Sequence, residues 1–147
     1  MLGSGGSSRL YQTLVKDRKL FSNIDCYHFG SLDEGLVAIS GKLVKGVDIH
    51  AAEAAVEEVL SPMREARVDG KELQKVKNKT ESMMAFEDMG LMNRASNLAF
   101  YELLGDASMM NAELGNYQSV TADDVLEECR RLFREENSCT LHYLSGE

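Results

Sequence analysis

The chain has 147 residues, 44% of them hydrophobic, and a formal net charge of −8. That acidic balance opposes binding along a phosphate backbone, which needs clustered cations. No apolar run approaches the roughly 20 residues that span a bilayer, and the length fits one domain or part of one.

Cys26, Cys129 and Cys139 are odd in number and widely spaced, which excludes a disulfide framework, and no Cys-x-x-Cys knuckle is present. Buried free thiols are the expectation. Met1 leads into Gly and Ser rather than into a basic region and an apolar core, so no secretory signal or other targeting segment is expected.

The chain opens on a small-residue run, Gly3-Ser-Gly-Gly-Ser-Ser8, that passes into an amphipathic stretch. Glycines tolerate positive φ and close backbone approach, and Ser7 or Ser8 suits a helix N-cap. Leu10 and Leu14 recur at helical spacing, which predicts a helix over 8–19. A Gly-rich loop before a helix can also cradle phosphate. A P-loop, however, needs Lys and Ser/Thr after its last Gly and a strand before it. Here Ser7, Ser8 and Arg9 follow Gly6, and only Met1 and Leu2 precede Gly3.

Residues 23–30 alternate as a strand, with Ile24, Cys26 and His28 on one side and Asp25, Tyr27 and Phe29 on the other. A turn at 31–35 and a second strand over 36–44 complete an antiparallel hairpin. Asp48 is a natural N-cap for a helix from Ile49 to about Arg67. Its apolar stripe is Ala52, Val56, Val59, Leu60 and Met63, and Pro62 kinks it or ends it early. Asp69-Gly70 mark the next break. Residues 71–104 read as one long helix or two, with a bend at Gly90 and Gly105 as the C′ residue. Met83, Met84, Met89 and Met92 could line an adaptable binding groove, but packing in a core is the expectation. A short helix or irregular segment fills 107–118. Thr121 and Asp124 form a close variant of the capping box for a helix reaching about Glu136. Cys139 to Leu144 alternate as a terminal strand. The fold class is α+β, a two-layer sandwich with helices on one face of an antiparallel sheet. Three strands make a thin sheet with an unpaired edge, and exposed edges recruit partners, so self-association is expected.

Residues 3–14, Gly-Ser-Gly-Gly-Ser-Ser-Arg-Leu-Tyr-Gln-Thr-Leu, resemble the segment that opens the second half of a domain in the M16 (insulinase/pitrilysin-like) zinc peptidases. That family includes mitochondrial processing peptidases and core subunits of the respiratory bc1 complex. Val120, Thr121, Asp124 and Val125 match its Val-Thr-x-x-Asp-Val helix start, and the order of elements agrees over essentially the whole chain. The resemblance implies a LuxS/MPP-like metallohydrolase half-domain, with residues 1–147 a single partial domain from the C-terminal part of a peptidase domain. It further implies zinc in the parent protein, an N-terminal zinc-bearing domain or subunit as partner, and a peptide substrate. The opening loop would then line a peptide chamber, making Gly5, Gly6, Ser7 and Arg9 the substrate-contact candidates. Outside that role Arg9 and Tyr11 read as structural.

The family's zinc motif is His-x-x-Glu-His, two imidazole ligands flanking a glutamate base. The three histidines here are His28, His50 and His142, and His50-Ala-Ala-Glu53 continues with Ala54. No metal ligand, cofactor or catalytic residue is therefore expected in this chain, and His50 reads as a surface residue. Cys26 beside His28 could pair thiol with base, although a packed pair is the expectation. Many family members also carry an Arg and a Tyr in a stretch resembling Leu-Arg-x-x-x-Gly-Leu-Ala-Tyr, which holds the substrate backbone and the developing oxyanion. Val15 and Ser22 stand at those places. The resulting expectation is an inactive C-terminal fragment of a zinc metalloendopeptidase. The alternatives are a non-catalytic interaction or assembly module of the same fold and a small α+β binding protein unrelated to the family.

Overall fold

A computed structural model describes residues 1–3, 5–30 and 34–144. The chain divides into two compact units. One holds Met1–Arg67 together with the chain from Leu126 onward, and the other holds Val68–Val125.

The first unit is built on the opening helix, Tyr11–Asp17, which follows a helical turn at Arg9 and Leu10. Its hydrogen bonding is wide: the Arg18 amide donates to the Thr13 carbonyl at 3.0 Å, five residues back, as in a π-helix. The helix stops at Lys19, whose φ of 54° is a left-handed conformation usually left to glycine. Leu10 and Leu14, one turn apart, are the largest fully buried side chains.

Strands β1 (Phe21–Phe29) and β2 (Leu36–Leu43) pair antiparallel, with Ile24 opposite Gly41, Cys26 opposite Ile39 and Phe29 opposite Leu36. A bulge falls between Phe21 and Asn23. Gly41 is required by its neighbour: a Cβ there would lie 2.6 Å from the Phe21 ring, which covers the glycine instead. Of the turn predicted at 31–35, residues 31–33 lie outside the described residues.

Helix α1 (Ile49–Glu65) starts as its cap predicts, the Ala51 amide donating to Asp48 Oδ2 at 2.8 Å. Ala52, Ala55, Val59, Leu60 and Met63 are buried along it, with Val56 only half-buried. Pro62 sits in the last turn, where the helix is about to end, and three more residues follow it. With Leu2, Phe21, Ile24 and Cys129 these side chains make the core of this unit.

The second unit holds α2 (Gly70–Glu87), α3 (Leu91–Leu103) and α4 (Met109–Ser119). The long predicted helix is two, divided at Gly90. Lys77 Nζ donates to the Gln118 carbonyl at 2.7 Å and so ties α2 to α4. No side chain of these three helices is buried. The methionines expected in a core are therefore corrected: Met83, Met89 and Met92 are exposed and Met84 is half-buried. Three short helices cannot enclose four methionines and the leucines between them, so the apolar periodicity marks a face rather than an interior.

Helix α5 (Ala122–Leu132) begins with the reciprocal box that Thr121 and Asp124 predict. The Thr121 amide donates to Asp124 Oδ2 at 2.8 Å and the Asp124 amide donates to Thr121 Oγ1 at 3.2 Å. The helix ends earlier than predicted, and a single 3₁₀ turn, Glu135–Asn137, follows it. The terminal strand is a second correction, since residues 138–144 carry no regular structure. Alternation supplies faces but not an edge to pair with, and the sheet among the described residues has two strands, not three.

Candidate functional site

The opening loop is held by its own backbone. The Ser8 amide donates to the Gly5 carbonyl at 3.0 Å, Arg9 to Met1 at 3.1 Å and Leu10 to Leu2 at 3.1 Å. These are the amides that an anion at the helix N-terminus would need. With all three already engaged, the loop is not a phosphate cradle.

The candidate residues Ser7 and Arg9 do come together, in an open depression of about 400 Å³ that Ser8, Gln12, Thr13, Arg18, Glu58, Val59 and Pro62 also line. Gly5 takes a φ of 86°, and the Gly6 carbonyl accepts a hydrogen bond from Gln12 Nε2. Arg18 pairs with Glu58 at 2.6 Å across the depression. Ser8 Oγ is buried and has no hydrogen-bond partner among the described residues. A buried hydroxyl left unpaired costs about 1–3 kcal/mol, so this depression holds one polar group in need of a partner.

Val15 is half-buried within the opening helix, and Ser22 is at the bulge of β1, where its hydroxyl donates to the Lys42 carbonyl at 3.0 Å. Ser22 is thus spent on the sheet. Cys26 is half-buried, and burial pushes its thiol pKa up, against a smaller opposing pull from the N-terminal charge. A nucleophilic thiol needs the opposite shift. Cys129 is buried and raised for the same reason. Cys139 is exposed, which corrects the expectation of three buried thiols.

One constellation escaped the sequence. Helix α1 presents His50 and Glu53 on one face of its first turns, and the segment after Asn137 brings His142 beside them. His142 Nε2 lies 3.2 Å and His50 Nδ1 4.0 Å from the same oxygen, Glu53 Oε2. The two imidazole rings meet edge to face at 5.4 Å. A hydrogen bond from Thr140, ahead of the two imidazoles, holds the exposed Glu53 carboxyl below its ordinary range. The signal lay in His50 and Glu53 at i, i+3, but His142 is 89 residues from Glu53 and nothing local points to it.

The peptidase zinc does not fit this chain. Its second helical histidine would stand at Ala54, and Glu53, which takes the place of that motif's base, lies instead against His50 and His142.

The pattern that describes the Peptidase M16 inactive domain matches residues 1–80, more than half of the 147. The chain belongs to the M16 inactive-domain family. No curated protein sequence matches it. Among solved structures, this M16 inactive domain is similar to a candidate zinc protease from Bordetella pertussis Tohama I, at 21% identity and a TM-score of 0.83, over 99% of this chain and 80% of that one. It is also similar to the inactive peptidase domain of a candidate zinc protease from Bordetella parapertussis, at 21% identity and a TM-score of 0.87, over 99% and 79%. A protease from Helicobacter pylori matches at 19% identity and a TM-score of 0.81, over 93% of this chain and 33% of that one. These identities establish the fold, an α+β arrangement shared with M16 domains. Among the described residues no helix is long and apolar enough to cross a membrane.

Proposed function

We propose that the chain is the non-catalytic half of a zinc metallopeptidase, shaping the chamber that holds a peptide while a separate zinc-bearing domain or subunit cleaves it. The observation that carries this is the M16 inactive-domain match over residues 1–80. It is supported by the missing second histidine at Ala54 and by Val15 and Ser22 in place of the Arg and Tyr of the family's substrate-binding stretch. The residues that would meet peptide are Gly5, Gly6, Ser7 and Arg9. The zinc, the general base and the water belong to the other half. This half binds and orients the substrate and excludes solvent.

The experiment is peptide hydrolysis by the assembled pair with Arg9→Ala and Ser7→Ala in this chain. A chamber-lining role predicts a raised KM with kcat little changed, the signature of lost substrate binding. Unchanged KM in both variants, with assembly intact, would remove the loop from the chamber.

A second reading has its own support. Met83, Phe86, Met89, Leu91, Met92 and Leu103 are all exposed on the α2–α4 unit, and apolar surface of this extent is a feature of interaction sites. The outer edge of β2 also has no strand beside it among the described residues. An assembly module, self-associated through that edge, would use both. It predicts a mass above the monomer in sedimentation at high concentration, and a strictly monomeric mass argues against it.

A further inference from the structure

Three side chains carried by two distant parts of the chain converge on one point at the surface. Two are imidazoles and one is a carboxylate, the donor set that suits zinc and its neighbours among the first-row divalent metals rather than magnesium or calcium. We propose that His50, Glu53 and His142 form a binding site for a divalent transition metal, unrelated to peptidase chemistry, whose occupation pins the C-terminal segment 139–144 to the first turn of α1.

The geometry needs little adjustment. With zinc–ligand distances of about 2.0–2.1 Å, tetrahedral ligands stand about 3.3 Å apart. His142 Nε2 and Glu53 Oε2 are already 3.2 Å apart. His50 Nδ1 must close from 4.0 Å to the same oxygen, and one ligand atom from each of the three residues lies within 4.8 Å of the others. His50 is three-quarters exposed, so nothing packed opposes the rotation that brings it in. His50 and Glu53 are separated by three residues on a helix and share a face by construction.

Two features go beyond the ligands themselves. Thr140 hydrogen-bonds Glu53, the outer contact that fixes a carboxylate ligand's direction. The segment that carries Thr140 and His142 has no sheet or helix of its own, so its position depends on side-chain contacts of this kind. Three protein ligands leave a fourth place for water, and Glu53, spent as a ligand, does not also serve as a base. The role assigned to the site is structural.

The test uses the whole chain, with zinc chloride as the probe in isothermal titration at neutral pH and magnesium chloride as control. The expected result is one zinc per chain, no response to magnesium, and slowed amide exchange at residues 139–144 on zinc addition. His50→Gln, Glu53→Gln and His142→Gln should each weaken zinc binding by at least roughly tenfold, and Thr140→Val by about tenfold or more, through the outer contact. All four positions are at the surface, and unchanged circular dichroism and melting without zinc would show that the variants fold. Cys139→Ser, which removes the exposed thiol at the start of the segment, should leave zinc binding intact. The proposal is overturned if the chain takes up no zinc, if both histidine variants bind it as well as the parent sequence, or if binding disappears with Cys139→Ser instead.

Discussion

Leu14 has no exposed surface and sits in the opening helix one turn from Leu10, which is equally buried. Leu14→Ala should cost about 2–5 kcal/mol, read as a lowered urea midpoint with an unchanged slope. Both leucines were legible, because helical spacing in a short amphipathic stretch leaves little choice of face. The thiols were legible only in part. Cys139 should react first with iodoacetamide, half-buried Cys26 more slowly because burial raises its thiol pKa, and buried Cys129 last, as the chain opens. Burial at position 139 was expected only from the general habit of free cysteines, which the local sequence does not override. Tyr101 shows a residue property with no sequence signal at all. Its hydroxyl is hydrogen-bonded to Glu113, which pushes the phenol from 10.0 up to about 12. The neutral phenol is thus favoured in the folded state. That contribution is complete below the ordinary phenol pKa and is lost as pH rises through about 12. One of the five tyrosines should ionise late in an absorbance titration, and Glu113→Gln should return it towards 10.0.

At the scale of elements, the caps at Asp48 and at Thr121 with Asp124 were the most legible features, since each depends on two or three adjacent residues. The cap expected from Ser7 or Ser8 does not form on the opening helix, which has no side-chain cap. Thr121→Ala should destabilise by about 1 kcal/mol through loss of the α5 cap. Hydrogen bonds from Thr121 hold the Asp124 carboxyl below its ordinary range. A depressed folded pKa contributes stability above the unfolded carboxylate pKa and loses it as pH falls through the folded one. The gap in melting temperature between the parent chain and Asp124→Asn should therefore narrow in acid; a gap independent of pH would mean the charge is not what matters. Gly105 closes α3 with a φ of 119°, its amide donating to Glu102 at 3.0 Å and the Asp106 amide to Tyr101 at 3.1 Å. This is the Schellman arrangement that a terminal glycine allows, and Gly105→Ala should cost about 1–2 kcal/mol. The elements that misled are those whose outcome is tertiary. The alternation of Thr140, Leu141, His142 and Tyr143 has no strand paired with it among the described residues, and the methionine spacing of α2 and α3 marks an exposed face.

For the whole molecule, the M16 fold was readable from Gly3–Leu14 and from Val120–Val125, segments whose turn and cap chemistry is specific. The functional site was less so. Ser7 and Arg9 do line one depression with Arg18 and Glu58, whereas the His50, Glu53 and His142 group arises from two distant parts of the chain that only the fold brings together. The central claim is that this chain supplies binding surface and no chemistry. Its most direct test is hydrolysis of a labelled peptide library with zinc present, by the chain alone, by a zinc-bearing M16 domain alone and by the two mixed. The account predicts no cleavage by the chain and cleavage by the mixture well above that of the zinc-bearing domain. Cleavage by the chain alone, or a zinc-bearing domain that is equally active without it, would contradict the account.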